Sequence, residues 1–251
     1  MKVAIIGYGK MGRMIHQILR ERGHEVSVII DEHNQEEFAS RAFASSDVAI
    51  EFTRPTSAVG DILGCFAAGV PVVCGTTGWT DALPELRDMC AKGKGTLLWS
   101  SNFSIGMNIF MALNRYLTSV MSKFPAYTPS MEEIHHIHKL DHPSGTAITL
   151  AEELVANDPA VSGWEEVEEP AEVKDGRVLP IVARREGEVP GVHSICWESE
   201  ADTVTITHSA KSRMGFALGA VLAAEWLSSR KGFHTMSEML SDYTETTGIF
   251  S

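Results

Sequence analysis

Positive charge is scarce in this chain. Its 251 residues hold 21 Lys and Arg against 33 Asp and Glu, a formal net charge of −12. Such a surface repels nucleic acid and anionic lipid, so neither is an expected partner. Cysteine is sparse as well. Cys65, Cys74, Cys90 and Cys196 include no pair at CxxC spacing, and three lie in apolar segments. That excludes a disulfide framework or a cysteine-based zinc site and fits reduced core thiols in a cytoplasmic protein. Long apolar runs are missing too. The opening run Met1–Gly7 is too short for a signal peptide. The longest, Met214–Ala224, is broken by glycines and falls short of the roughly 20 residues a membrane span needs. There is no internal repeat, low-complexity tract or long linker. What remains is ordinary for a globular enzyme-sized chain: 44% hydrophobic and 22% charged residues, enough for one large domain or two modest ones.

The first hundred residues alternate between two periods. Short β-branched runs read as buried parallel strands: Val3–Ile6, Val26–Ile30, Val48–Phe52, Val70–Cys74 and Thr96–Trp99. Helix-like segments at Met11–Arg22, Thr56–Ala68 and Asp81–Lys92 lie between most of them. Strand, helix, strand, repeated, predicts a Rossmann-type doubly wound parallel sheet. The pattern then changes. Apolar residues at helical spacing mark Ile105–Phe124, a strand follows at Ser130–His138, and a helix at Gly145–Ala156. Residues 157–177 are acidic, hold Asp158-Pro159 and Asp175-Gly176, and read as loop. Val178–Arg185, Val192–Glu198 and Thr203–His208 read as strands, the last two joined at Glu200-Ala201-Asp202 as an antiparallel hairpin. Helix-like Arg213–Arg230 and a short amphipathic piece at Met236–Leu240 close the chain. Strands without intervening helices predict a second, α+β domain with a mixed sheet.

After the first strand stands Gly7-Tyr8-Gly9-Lys10-Met11-Gly12, a G-x-G-x-x-G. Gly7 permits a tight turn, Gly9 lets backbone touch a pyrophosphate, and Gly12 lets the helix approach the strand. The N–H groups at the helix start then face phosphates. The motif alone is weak. Here a strand and a helix bracket it, and a second strand ends in Asp31, nineteen residues past Gly12, where an acid accepts hydrogen bonds from ribose hydroxyls. Asp31 and Glu32 repel a 2′-phosphate, and no arginine directly follows to clamp one, so NADH is the expected cofactor in preference to NADPH. Two further strand ends are shaped for close backbone approach to a dinucleotide: Gly75-Thr76-Thr77-Gly78 and Ser100-Ser101-Asn102-Phe103.

A second concentration runs from Glu133 to Ala147 and holds four of the ten histidines. On a strand, His135 and Lys139 share a face, about 13 Å apart if fully extended. Both reach one small molecule only if the strand bends or ends near His138. Ser144-Gly145-Thr146 reads as a capped helix start and a natural anion site. Three readings of the block compete. One is a metal site, opposed by the alternation of His135 and His136 across a strand and by the lack of a spaced ligand set. Another is surface histidines on an edge strand. The third is an anion pocket with an acid, in which imidazole and ammonium groups bind carboxylates and one of them donates a proton.

These residues together resemble the dihydrodipicolinate reductase family. The resemblance is carried by the glycine-rich turn, Glu51-Phe52-Thr53-Arg54-Pro55, Gly75-Thr76-Thr77-Gly78, Asn102-Phe103-Ser104, His135-His136-Ile137-His138-Lys139 and Pro143-Ser144-Gly145-Thr146-Ala147. Near the end, Ile206-Thr207-His208 and Ser212-Arg213-Met214 continue it. It spans nearly the whole chain, and the histidine–lysine block is its most specific part. The resemblance implies reduction of 4-hydroxy-tetrahydrodipicolinate to tetrahydrodipicolinate with NAD(P)H, in lysine and diaminopimelate biosynthesis. It implies a dinucleotide-binding domain over 1–104 and 213–251, and a substrate-binding and oligomerisation domain over 105–212 that builds a homotetramer through its sheet. It makes His135 and Lys139 the proton-donating pair, and gives a carboxylate of the substrate to His136, Gly145 and Thr146. It gives the cofactor to Gly7 through Gly12, Asp31, Gly75 through Thr77 and Ser100 through Phe103, with Phe216 near the nicotinamide. No metal is implied. Two rivals remain: another two-domain NAD(P)-dependent dehydrogenase acting on an amino acid, and a non-catalytic dinucleotide sensor. A substrate panel separates the first. The second predicts NADH binding without turnover, and usually a basic nucleic-acid-binding module, which this charge balance disfavours.

Overall fold

The β-branched runs of the first hundred residues become strands of one sheet. In the computed structural model, which describes residues 1–170 and 177–244, these are β1 (Lys2–Ile6), β2 (Glu25–Ile30), β3 (Val48–Glu51), β4 (Val72–Cys74) and β5 (Thr96–Trp99). A sixth, β11 (Gly232–His234), pairs in parallel with β5 and was not foreseen from three residues of mixed character. The order is β11-β5-β4-β3-β1-β2, parallel throughout. Both faces are covered, so the strands carry apolar side chains on both sides rather than alternating with polar ones. Ala4, Ile6, Ala49, Val72 and Leu97 pack with α3 (Pro55–Ala68) and α4 (Leu83–Ala91). Helices α1 (Lys10–Glu21) and α7 (Met214–Leu227) pack on each other, α1 also against β1 and α7 against β3 and β4. Between β2 and β3 a 3-10 turn at Gln35–Ala39 and the single-turn α2 (Arg41–Ala44) lie where no helix was predicted. They are too short to show a period. Helix α8 (Met236–Thr244) ends the described chain.

The second sheet has the order β10-β9-β6-β8-β7. Its strands are β6 (Thr128–His135), β7 (Gly163–Val167), β8 (Val178–Arg185), β9 (Val192–Glu198) and β10 (Thr203–Ser209). The pair β6–β8 and the pair β7–β8 are parallel, while β6–β9 and the hairpin β9–β10 are antiparallel, which makes the sheet mixed. One face packs Met131, Leu179, Ile181, Ile195 and Trp197 against α5 (Ile105–Met121) and α6 (Gly145–Asn157). The chain divides into two compact units, Met1–Ile105 with Met214–Ser251, and Gly106–Arg213.

The predicted strand Ser130–His138 starts at Thr128 and stops at His135; its central place in the sheet disfavours the reading of the block as surface histidines on an edge strand. The acidic stretch 157–177, read as loop, contains β7. Its glutamates hid a strand whose Trp164 packs on the core and which sits at a sheet edge, where charge is tolerated. Asp175-Gly176 lies outside the described residues. Among those described, no helix is long and apolar enough to cross a membrane.

Candidate active site

The glycine-rich turn joins β1 to α1. Gly7 adopts φ +91, and a Cβ there would stand 2.1 Å from the Phe52 carbonyl oxygen. A Cβ on Gly12 would stand 2.1 Å from the carbonyl oxygen of Gly7. Gly9 is different: nothing lies within 4 Å of where its Cβ would be. Gly9 is also the N-cap of α1 and offers no side chain to the first-turn N–H groups, which include those of Lys10, Met11 and Gly12. Open space before an uncapped helix start is what a pyrophosphate requires. The residues present therefore fit a dinucleotide.

The other predicted contacts follow the ends of parallel strands. Asp31 comes directly after β2; one carboxylate oxygen accepts from the His33 N–H at 2.8 Å, and the other makes no hydrogen bond among the described residues. Beside it, Glu32 lies 3.2 Å from Arg54, a cation 22 positions away in sequence that adjacency could not reveal. Gly75, Thr76 and Thr77 follow β4, and Ser100, Ser101, Asn102 and Phe103 follow β5. Several of these side chains are already engaged. The Tyr8 hydroxyl bonds His16 Nδ1 at 2.8 Å, and Phe103 is buried on Phe52 with ring centroids 5.8 Å apart. Ser100 Oγ donates to the Asn102 carbonyl at 2.8 Å.

Beneath these loops lies an acidic cluster that periodicity could not single out. Glu51, fully buried at the end of β3, accepts from Thr53 N–H, Thr53 Oγ1 and Thr76 Oγ1 on one oxygen and from the Cys74 thiol on the other. It ties the ends of β3 and β4 together. Thr53 Oγ1 has one proton and two carboxylate neighbours, Glu51 at 2.5 Å and Asp61 at 3.0 Å. Burial pushes the Asp61 carboxyl up to about 6, despite the opposing Thr53 bond and with help from Glu51. A raised carboxylate value means that the fold favours the neutral form. Stability from this group is fully present below about 3.8 and is lost as pH rises through about 6. Asp61→Asn keeps an acceptor for Thr53 without the buried charge. It is expected to raise Tm at pH 8, by at most the equivalent of about 3 kcal/mol, and to change it little at pH 4. Thermal melts at the two pH values check this; an equal shift at both would assign the effect to packing.

In the other unit, strand register builds a polar cluster at one end of the second sheet. Residues 131, 133 and 135 share the core face of β6, so the row that starts with buried Met131 ends in buried Glu133 and His135. Arg185 closes β8 and pairs in register with His135; His193 on β9 pairs with Glu133. Glu133 Oε1 accepts from Arg185 at 3.3 Å and from the Ser144 N–H at 2.9 Å. Glu133 Oε2 lies 3.2 Å from His135 Nδ1 and 3.6 Å from His193 Nε2. Burial would push Glu133 up, but its contacts with His135, His193 and Ser144 outweigh that and hold it well below the usual carboxylate range. Glu133, His135 and His193 bring one ligand atom each within 4.8 Å, a grouping the sequence could not show because His193 is 58 positions beyond His135. The carboxylate already has its cation in Arg185.

The strand ends at His135 and the chain turns at once, the Lys139 N–H bonding the His136 carbonyl at 3.1 Å. The extended spacing of His135 and Lys139 therefore does not apply. Lys139 Nζ donates to Asp141 at 2.8 Å, and the same Asp141 oxygen accepts from the Gly145 N–H at 3.4 Å. Ser144 caps α6 through the Ala147 N–H at 3.1 Å, leaving Gly145 and Thr146 in the first turn. His136 is half-buried beside His138, the rings 6.0 Å apart.

Comparison with known proteins supports both halves. The family model for the N-terminus of dihydrodipicolinate reductase matches residues 1–103, and that for its C-terminus matches 106–240. The 4-hydroxy-tetrahydrodipicolinate reductase of Christiangramia forsetii is 43% identical over 246 residues, covering 96% of this chain and 98% of the relative. That of Desulfovibrio desulfuricans is 33% identical over 255 residues, covering 92% and 96%. A solved dipicolinate-bound dihydrodipicolinate reductase from Paenisporosarcina sp. TG-14 shares the fold with TM-score 0.75 at 22% identity, over 93% of this chain and 97% of that one. The chain belongs to the dihydrodipicolinate reductase family.

Proposed function

We propose that this chain reduces 4-hydroxy-tetrahydrodipicolinate to tetrahydrodipicolinate, with the Gly7–Gly12 turn holding a dinucleotide and the His135–Thr146 segment holding the substrate. When bound, the dihydronicotinamide supplies a hydride. The chain's own work is to bind two carboxylates and deliver a proton. One observation carries the substrate reading. Lys139 Nζ and the Gly145 N–H already converge on one carboxylate, that of Asp141. The same two donors, joined by Thr146 and His136, suit a carboxylate of a small dicarboxylate. His135 or Lys139 then gives a proton to the electron density left after hydride arrives. The family and the match along both units favour this reaction over an amino-acid dehydrogenase or a non-catalytic sensor.

The reading extends to cofactor choice and assembly. Asp31 and Glu32 would repel a 2′-phosphate, and Glu32 faces the guanidinium of Arg54 at 3.2 Å, so that the one cation beside it already has a carboxylate partner. NADH is therefore the expected partner. Self-association into a homotetramer would use the side of the second sheet turned from α5 and α6, where Ser194 and Thr207 are joined at 2.9 Å. Substrate made from pyruvate and aspartate semialdehyde in a coupled assay tests the function. NADH oxidation is expected, with kcat/KM above that for NADPH. No turnover with either cofactor rejects the reaction; equal or better kcat/KM with NADPH rejects the preference alone.

A further inference from the structure

Glu133 has no role in the reaction proposed above, yet among the described residues it is the most heavily engaged buried acid of its unit. It faces charged and titratable groups from three strands: Arg185 on β8, His193 on β9 and His135 on its own β6. The Ser144 N–H reaches it from the start of α6. These contacts are unevenly divided. Oε1 takes the Arg185 guanidinium and the backbone N–H, which anchor the carboxylate. Oε2 is buried without a hydrogen bond and is left to the imidazoles, of which His135 Nδ1, also buried without one, is the nearer at 3.2 Å. The opposite nitrogen, His135 Nε2, makes no hydrogen bond among the described residues. It faces Gly191, where a Cβ would stand 2.9 Å away.

We propose that Glu133 is a positioning residue for His135: its carboxylate charge, 3.2 Å from Nδ1, favours the proton on that nitrogen and leaves Nε2 as the nitrogen that gives a proton to the substrate. The inference rests on the assignment of His135 as a proton donor made above. An imidazole held by a carboxylate on one nitrogen presents a defined tautomer at the other, and the anion stabilises the doubly protonated ring. The step balances simply. The Nε2–H bond breaks, its proton goes to the substrate and its electron pair stays on the ring. Nδ1–H remains against Glu133. Arg185 and the Ser144 N–H hold Oε1 and keep the carboxylate from swinging away, so Glu133 does not itself touch the reacting molecule.

A double-mutant cycle in kcat separates this from a structural role. Glu133→Gln is expected to lower kcat about tenfold or more in the native background and to leave the KM for NADH unchanged. In a His135→Gln background the same change is expected to lower kcat less than about twofold, because its target is gone. Glu133→Asp keeps the charge for Arg185 but withdraws the oxygen from Nδ1. It should show the same pattern, and it serves if Glu133→Gln does not fold. An equal loss in both backgrounds, or no loss in the native one, overturns the positioning role. Near-normal turnover of His135→Gln itself overturns the assignment of His135 instead, which keeps the two failures distinct.

Discussion

His135→Gln and Lys139→Ala each lower kcat on the order of 10²-fold or more, the scale of lost general acid catalysis, while NADH still binds. The two variants are expected to differ in substrate KM. His135 is buried at the end of the core-facing row of β6, with one nitrogen toward Glu133. Gln fills much of the same space and retains a polar terminus, so packing and carboxylate binding survive and the loss falls on kcat. Lys139 is partly exposed and its ammonium sits on the Asp141 carboxylate together with the Gly145 N–H. Removing it takes away a cation that a dicarboxylate would use, so KM rises as kcat falls. Steady-state NADH oxidation gives both parameters, and fluorescence titration of NADH against each variant reports cofactor binding separately. Near-normal turnover in both variants removes the mechanism.

The parallel sheet was legible because its signal is local. Runs such as Val48–Ile50 are apolar on both faces, and turn residues bound them. The glycine turn was legible because its spacing encodes a backbone shape. The strand β11 and the single turn α2 were not, since three or four residues carry no period. In the second unit the His135–Lys139 block drew attention by composition, but the point where strand gives way to turn did not show. His135 and His136 differ by one step in sequence, and the end of a strand depends on pairing partners in β8 and β9. For the same reason Glu133, though it heads that block and shares the face of His135, shows no partners in the sequence. Its partners Arg185 and His193 lie 52 and 60 positions away, and only the register of three strands brings them together. Glu51 and Asp61 were hidden differently: a buried acid has no sequence signature apart from the hydroxyl and thiol groups that happen to surround it. Arg54 shows that the lack of an arginine after Asp31 described the sequence and not the space around Glu32.

The glycine turn permits a second large-effect test, because two of its glycines serve different ends. Gly12→Ala is expected to disturb the fold itself. Its Cβ would stand 2.1 Å from the carbonyl oxygen of Gly7, which is backbone and cannot rotate aside. Relief requires α1 to move off β1, with the loss of packing by Ile15 and Leu19, both fully buried. Overpacking of this kind costs about 1–3 kcal/mol, which in a chain of this size lowers Tm by roughly 2–12 °C. Gly9→Ala meets nothing within 4 Å. Gly9 adopts φ −76, so alanine fits its backbone as well. Tm should therefore stay within about 1 °C of the parent, in line with an unstrained surface change. Its methyl group, however, enters the open space before the first-turn N–H groups of α1. A phosphate then loses close approach, and NADH affinity is expected to fall about tenfold or more, a loss of about 1.4 kcal/mol. Melting curves with and without NADH, together with direct titration of the cofactor, measure both effects. A Gly9→Ala variant that binds NADH normally would mean that the space in front of α1 is not where the pyrophosphate lies. A Gly12→Ala variant with an unchanged Tm would mean that the helix and strand are not held at the contact distance described.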